Sequence, residues 1–352
     1  MSTVVSAPVR VLADEVQSAP GGIGGQVAVF ADGALVECAS VGTSAPDQPM
    51  AAETLHNVWC GTKPIFHTAA LHGLWRAGRG DTALSELLPP KVRPQISEAV
   101  GQISPRDLVS HRVGICDPHV MEAMHTPIAE RTDLVLRRLN QAEIGAPAGT
   151  YAPSKLLELA LEETLGVDAA DYVEKWCQER LDFADEIRFN IPPTELSSVA
   201  PRIGPYALTH YHQTSYSYHD RVPSVACEDR VAVGGFVTMR ALAEFYSVLT
   251  SASSLDTDFR TWLLDATPVQ VYDDSIGRPT HYLSGFQTEV AGRTPDVAFL
   301  GLPGLTGASF GFAFPDHRVS GAFMVNQFFQ SPDDIDFFRA RMVRAIEAEH
   351  IQ

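Results

Sequence analysis

A chain of 352 residues, 45% apolar and 20% charged, has the composition of an ordinary globular protein with enough length for a sizeable core. Its 43 acidic against 26 basic side chains give a formal charge of −17, spread along the chain rather than gathered in a tail. Such a surface repels phosphate backbones and excludes nucleic acid as a partner.

No run approaches the ~18 consecutive apolar residues of a membrane span, and the opening "MSTVVSAPVRVLADEVQSAP" lacks the charged start and apolar stretch of a signal peptide. A cytoplasmic protein with no membrane partner is expected. The five cysteines (38, 60, 116, 177 and 227) include no CxxC pair, so free thiols are expected in a reducing compartment. The histidines show no HExxH spacing, and no metal or cofactor is expected. "HYHQTSYSYHD" concentrates His210, His212 and His219. It reads as a polar, aromatic loop lining a pocket in preference to a metal site. Tyr206, Tyr211, Tyr216 and Tyr218 either line a substrate cleft there or pack the loop against its own helices.

In chain order, "GQVAVFADGALVECASVG" predicts two strands around a turn at Asp32-Gly33. A helix is predicted from about Lys63 to Trp75, with Ile65, Phe66, Ala69, Ala70, Leu74 and Trp75 at helical spacing and Pro64 in the first turn. "ISPRDLVSH" predicts a short helix with Ser104 as N-cap and Pro105 at its first position. Residues 153–182 are strongly helical, 191–232 are loop-rich, and "TMRALAEFYSVLTS" is another helix following Gly234-Gly235. The strands "HYLSGFQTEV", "DVAFLGLPG", "ASFGFAFPD" and "VSGAFMVNQ" come next, and a last helix closes the chain.

Strands at both ends around a helical middle argue against alternating βαβ units. They predict an α+β fold in which an antiparallel sheet, completed by both termini and flanked by helices, carries a mostly helical inserted region. The division expected is an N-terminal extension (1–21), a sheet subdomain (22–62 with 230–352) and a helical subdomain (63–229).

"WCGTKP", Trp59 to Pro64, places a thiol three residues before a lysine at the start of a helix. Taken alone, Cys60 is either an ordinary buried thiol or a nucleophile activated by Lys63. Thiols ionise near pH ~8.5, and a helix N-terminus with a neighbouring ammonium favours the thiolate.

The segment around "WCGTKP" and its glycine-terminated helix, with "ISPRDLVSHRVGI", "PAGTYAPSKLLELALEETLG", "VGGFVTMRALAEFYSVL" and "GLPGLTGASFGFAFPDHRVSGAFMVNQ", resembles the serine β-lactamase and penicillin-binding-protein superfamily. The branch most similar is that of class C β-lactamase-like esterases and acyltransferases. The resemblance runs from about residue 22 to 345 and implies a β-lactamase/transpeptidase-like fold. Tyr151 and Leu302 lie 91 and 242 positions after Cys60 (151 − 60 and 302 − 60), separations similar to those between the family's three motifs.

The departures carry information. Cys60 stands where the family has its nucleophilic serine. Tyr151-Ala152-Pro153 has proline in place of asparagine, and Gly301-Leu302-Pro303-Gly304 has leucine in place of a lysine or histidine. The resemblance implies Cys60 as nucleophile, with Lys63 and Tyr151 taking and returning its proton. It implies an oxyanion hole from the Cys60 N–H and a second N–H near Leu305 or Thr306, with Leu302 and Gly304 beside the substrate. It also implies that His111 is structural.

A thiol needs less activation than a hydroxyl, and the thioester it forms is attacked readily by amines and thiols. Acyl transfer is therefore expected, in a biosynthetic, secondary-metabolite pathway. Leu302 implies a neutral or apolar acyl group. The expected partners are a small-molecule acyl donor, with coenzyme A and carrier-protein thioesters as candidates, and an acceptor. The alternatives are hydrolysis through the same cysteine (esterase, thioesterase or amidase) and a catalytically silent binding protein.

Overall fold

The computed structural model describes residues 5–19, 23–45, 47–112, 126–140, 151–189, 191–192, 194–195, 199, 231, 233–251, 255–273, 278–290, 297–304, 309–327 and 332–351. The loop holding His210, His212, His219 and the four tyrosines falls outside them, as do Cys116 and Cys227.

The strands β1 (Gly24–Ala31) and β2 (Ala34–Ala45) form the hairpin predicted at Asp32-Gly33. Both turn residues have positive φ, 52° and 81°, as a tight turn joining twisted strands requires. β1 pairs antiparallel with β12 (Val319–Val325), so strands from the two ends of the chain lie side by side. From there the sheet continues through β11 (Ser309–Phe314), β10 (Leu300–Pro303), β9 (Phe286–Gln287), β8 (Arg278–Leu283) and β7 (Val269–Asp273). β3 (Gln48–Pro49) completes the nine-stranded sheet beyond β2. Beside it, β4 (His56–Asn57), β6 (Phe236–Val237) and β5 (Ile187–Arg188) make a three-stranded sheet. The α+β fold expected from the sequence is the fold found.

Strand alternation sends two apolar sets to opposite faces. On one face Val27, Val29, Phe310, Phe312, Phe314, Phe323 and Val325 pack with Leu12 of α1 (Ala7–Ser18) and with Phe338, Met342 and Ile346 of the closing helix (Pro332–His350). Residues 1–21, expected as an extension, therefore carry a helix that covers the sheet. Its turn-spaced Val9, Leu12 and Val16 are the amphipathic signal for it. On the other face Ala28, Phe30, Ala313, Ala322 and Met324 join the main core with the helix Met239–Thr250.

That main core is centred on α2 (Thr62–Arg76), buried at every position from Thr62 to Leu74. Two helices, Tyr151–Leu165 and Ala169–Gln178, pack against it. A helix so enclosed must find most partners for its polar side chains within the protein, and only Thr68 Oγ1 and His67 Nδ1 on it are buried without one among the described residues. Lys63 meets Cys60, His67 meets Ser154 and His72 accepts from the Trp176 indole N–H at 3.3 Å.

Burial lowers the His72 pKa to about 4 and holds that of His67 well below the ordinary value of 6.5, in the latter case with help from His111 and Lys63. The unfolded chain binds those protons between pH 6.5 and 4, whereas the folded one does not. The stability contributed by the neutral rings is complete above pH 6.5 and lost as pH falls. For His72 the loss approaches about 3 kcal/mol below pH 4. A melting temperature that declines steadily from pH 6.5 to 4 is expected, and one that stays flat over that range would exclude both assignments.

The predicted helices at "ISPRDLVSH" and "TMRALAEFYSVLTS" are present, Pro105–Val109 and Met239–Thr250, each with its N-cap side chain accepting from the third residue on. "HYLSGFQTEV", predicted as one strand, is two. β8 and β9 turn back on each other at Ser284-Gly285, where φ is 49° and 92°. A serine in the left-handed region broke an apolar run that otherwise reads as continuous.

Candidate active site

Cys60 sits in a single 3-10 turn, Trp59–Gly61, that leads directly into α2. Trp59 has φ 49°, a left-handed conformation that costs a bulky residue ~1 kcal/mol or more and needs outside support. Asn57 supplies part of it. Its Oδ1 accepts the Trp59 N–H at 3.3 Å, while its Nδ2 donates to the carbonyls of Val233 (3.0 Å) and Gly235 (3.3 Å). The Val58 N–H donates to Gly235 O at 3.1 Å, and the Gly235 N–H donates to Thr62 Oγ1 at 2.9 Å. Gly235 thus grips the turn on both sides of Cys60. A Cβ there would come within 2.6 Å of Thr62 Oγ1, so only glycine fits without displacement.

Cys60 is partly exposed, whereas Lys63 is buried to 1%. The Lys63 ammonium reaches back one turn and donates to Cys60 Sγ at 3.3 Å. With an anionic sulfur this is a charge-assisted hydrogen bond.

The end of β10 closes on the same turn. The Gly304 N–H donates to Ser309 O at 2.9 Å, and Ser309 Oγ donates to Val58 O at 3.4 Å. A Cβ on Gly304 would lie 2.7 Å from Val58 O. Gly304 is therefore packed against the residue two before Cys60. Leu305 and Thr306 lie outside the described residues. Leu302 is 5% exposed and packs with Val271 and Tyr282 in a small apolar cluster of its own.

Tyr151 opens its helix; its side chain lies outside the described part of the structure. One turn on, Ser154 Oγ lies 2.9 Å from His67 Nε2, one turn after Lys63 on α2. His111 is 1% exposed, with φ 57° and its ring edge-on to Tyr282 at 4.4 Å. The described structure therefore joins Cys60 with Lys63 directly and with Gly304 through Val58, and links the Tyr151 helix through Ser154. Sequence reasoning missed Asn57, Gly235, His67 and Ser154. Of these only Gly235 left a trace, as half of a glycine pair before a helix.

The β-lactamase family model matches residues 12–344. This chain belongs to the β-lactamase family. Solved structures with the same fold include a penicillin-binding protein homologue from Caulobacter crescentus (20% identity, TM-score 0.71, covering 99% of this chain and 98% of that one). A family VIII carboxylesterase is similar at 16% identity and TM-score 0.72, over 96% of each chain. EstCE1, a hydrolase with promiscuous acyltransferase activity, is similar at 14% identity and TM-score 0.74, over 96% of this chain and 97% of that one. No curated protein matches. Membership in the β-lactamase family supports an enzyme. Among the described residues no helix is long and apolar enough to cross a membrane, and no cluster of potential metal ligands is present.

Three of this family member's cysteines are described, and all are free thiols. Burial and the Glu174 carboxylate push the Cys177 thiol far up, and partial burial raises that of exposed Cys38. Iodoacetamide is expected to alkylate Cys60 first, although Cys38 is the more exposed. Faster labelling of Cys38, followed by peptide mass spectrometry, would mean that exposure rather than the Lys63 contact controls reactivity.

Proposed function

We propose that this protein is an acyltransferase that carries its acyl group as a thioester on Cys60. The observation that carries the reading is the buried Lys63 ammonium held 3.3 Å from the Cys60 sulfur at the entrance to α2. The Cys60 thiolate adds to the donor's carbonyl carbon, forming the C–S bond. The oxyanion is held by the Cys60 N–H and a second N–H near Leu305 or Thr306. Such donors contribute ~3 kcal/mol each to a transition state. Collapse breaks the bond to the leaving group, which takes a proton delivered by Lys63 or Tyr151. The acceptor then adds to the thioester, gives up its proton to the same groups and releases the thiolate.

A leucine at 302 in place of a cation supports a neutral or apolar acyl group, and a donor that is itself a coenzyme A or carrier-protein thioester. This fits a biosynthetic role in the cytoplasm.

The hydrolase reading shares the first half of the cycle and draws support from the esterase and hydrolase neighbours. In it, water takes the acceptor's place. The deciding experiment is intact-protein mass spectrometry after incubation with a panel of acyl thioesters, on wild type and Cys60→Ala. A mass increase absent from the variant is expected, and its size identifies the acyl group. Chasing the adduct with amines, thiols or buffer alone separates transfer from hydrolysis. No adduct with any donor would leave a catalytically silent binding protein.

A further inference from the structure

The helices that carry Lys63 and Tyr151 pack against each other, and both feed the main apolar core, Phe66, Ala69 and Ala70 from one and Leu156, Leu157 and Ala160 from the other. A buried polar pair joins them. His67, 1% exposed, and Ser154, 0% exposed, approach to 2.9 Å between Nε2 and Oγ. An apolar pair of equal volume would hold the helices together at least as well. A buried hydrogen bond instead selects a single register, because any slip leaves two desolvated polar groups unpaired. The two residues that this register aligns are one turn away on each helix: Lys63 at i−4 from His67, and Tyr151 at i−3 from Ser154.

The ring is also fixed from behind. Its Nδ1 is buried and without a hydrogen-bond partner, and the β8–β9 turn closes over it so tightly that a Cβ on Gly285 would lie 2.8 Å away. A bare acceptor is tolerated in such a place better than an orphaned N–H. The proton is accordingly assigned to Nε2, which donates to Ser154. The turn is itself tied to the helical region, where the Ser284 N–H donates to Ser110 Oγ at 3.0 Å and Ser284 Oγ donates to Leu263 O at 2.6 Å.

We propose that His67 and Ser154 are a positioning couple that fixes the first turn of the Tyr151 helix against the helix that carries Lys63 and follows Cys60. The expected effect on acylation rests on the acyl-transfer reading above; the couple itself does not.

The test uses Ser154→Ala, with Ser154→Thr as the variant that restores a hydroxyl, and two readouts. The first is hydrogen exchange of the amides at 155–158, the first to bond within the Tyr151 helix. Exchange at least tenfold faster in Ser154→Ala, restored in Ser154→Thr, with α2 unchanged, is expected. The second compares acylation of Cys60 by an acyl thioester with its alkylation by iodoacetamide, which needs no proton returned to a leaving group. Acylation is expected to lose at least tenfold in kcat at unchanged KM, while alkylation keeps its wild-type rate. Unchanged exchange in Ser154→Ala overturns the couple. So does a parallel fall in acylation and alkylation, which would mean a general loosening of α2. A wild type that forms no acyl-enzyme removes the acyl-transfer reading, and the exchange measurement still decides the couple.

Discussion

Replacing Lys63 with methionine is expected to slow acylation of Cys60 by about 10²- to 10⁴-fold while the protein remains folded. The Lys63 side chain is 1% exposed and makes its hydrogen bond to Cys60 Sγ from within a helix buried at every position from Thr62 to Leu74. Methionine keeps the length and most of the volume, so the core is not opened, and the change removes a buried charge while its partner Cys60 stays partly exposed. What the variant lacks is the ammonium beside the sulfur, which the proposed cycle uses to carry a proton to the departing atom. Alkylation by iodoacetamide is expected to slow as well, because it too begins from the thiolate. The rate of adduct formation by mass spectrometry and the melting temperature together decide the matter. Wild-type acylation in a folded Lys63→Met protein would remove Lys63 from the chemistry.

A second large effect is expected from a single methyl group on the other side of the turn. In Gly304→Ala the new Cβ would meet Ser309 Oγ at 2.5 Å and Val58 O at 2.7 Å. The hydroxyl can rotate, but the carbonyl is backbone and is anchored by the Gly61 N–H, which donates to it at 2.9 Å. Either the end of β10 or the Cys60 turn must move. Overpacking of this kind costs about 1–3 kcal/mol, and a displacement near 1 Å at a reacting centre costs about 10²-fold in rate. Both losses are expected together, in thermal unfolding and in acylation. A Gly304→Ala protein with normal stability and rate would show that β10 does not constrain the Cys60 turn.

The described strands and helices follow the local signals closely where those signals are strong. The Asp32-Gly33 hairpin, the Ser104 cap, and the apolar runs of β11 and β12 stand where periodicity and turn chemistry put them. Elements whose pattern is mixed escaped notice. Among them are the amphipathic α1, the helices Ile128–Leu139 and Thr257–Leu264, and strand β7. β9 was hidden because Ser284 adopts a conformation that its residue type does not announce. The burial of α2 on every side was equally illegible, since Lys63, His67 and His72 read locally as a polar stripe.

The sequence by itself determined the order of elements, hence an antiparallel sheet closed by both ends of the chain. It also determined the presence of a thiol three residues before a lysine at a helix start, because helix periodicity alone brings those two positions together. Only the tertiary structure decided that Lys63 is enclosed and turned onto the sulfur. The same holds for Asn57 and Gly235 gripping the turn, Gly304 pressing on it from 244 residues away (304 − 60), and His67 meeting Ser154 across two helices. Those contacts depend on close approach between segments far apart in the chain. No local pattern encodes an approach that is set by the packing of the whole core.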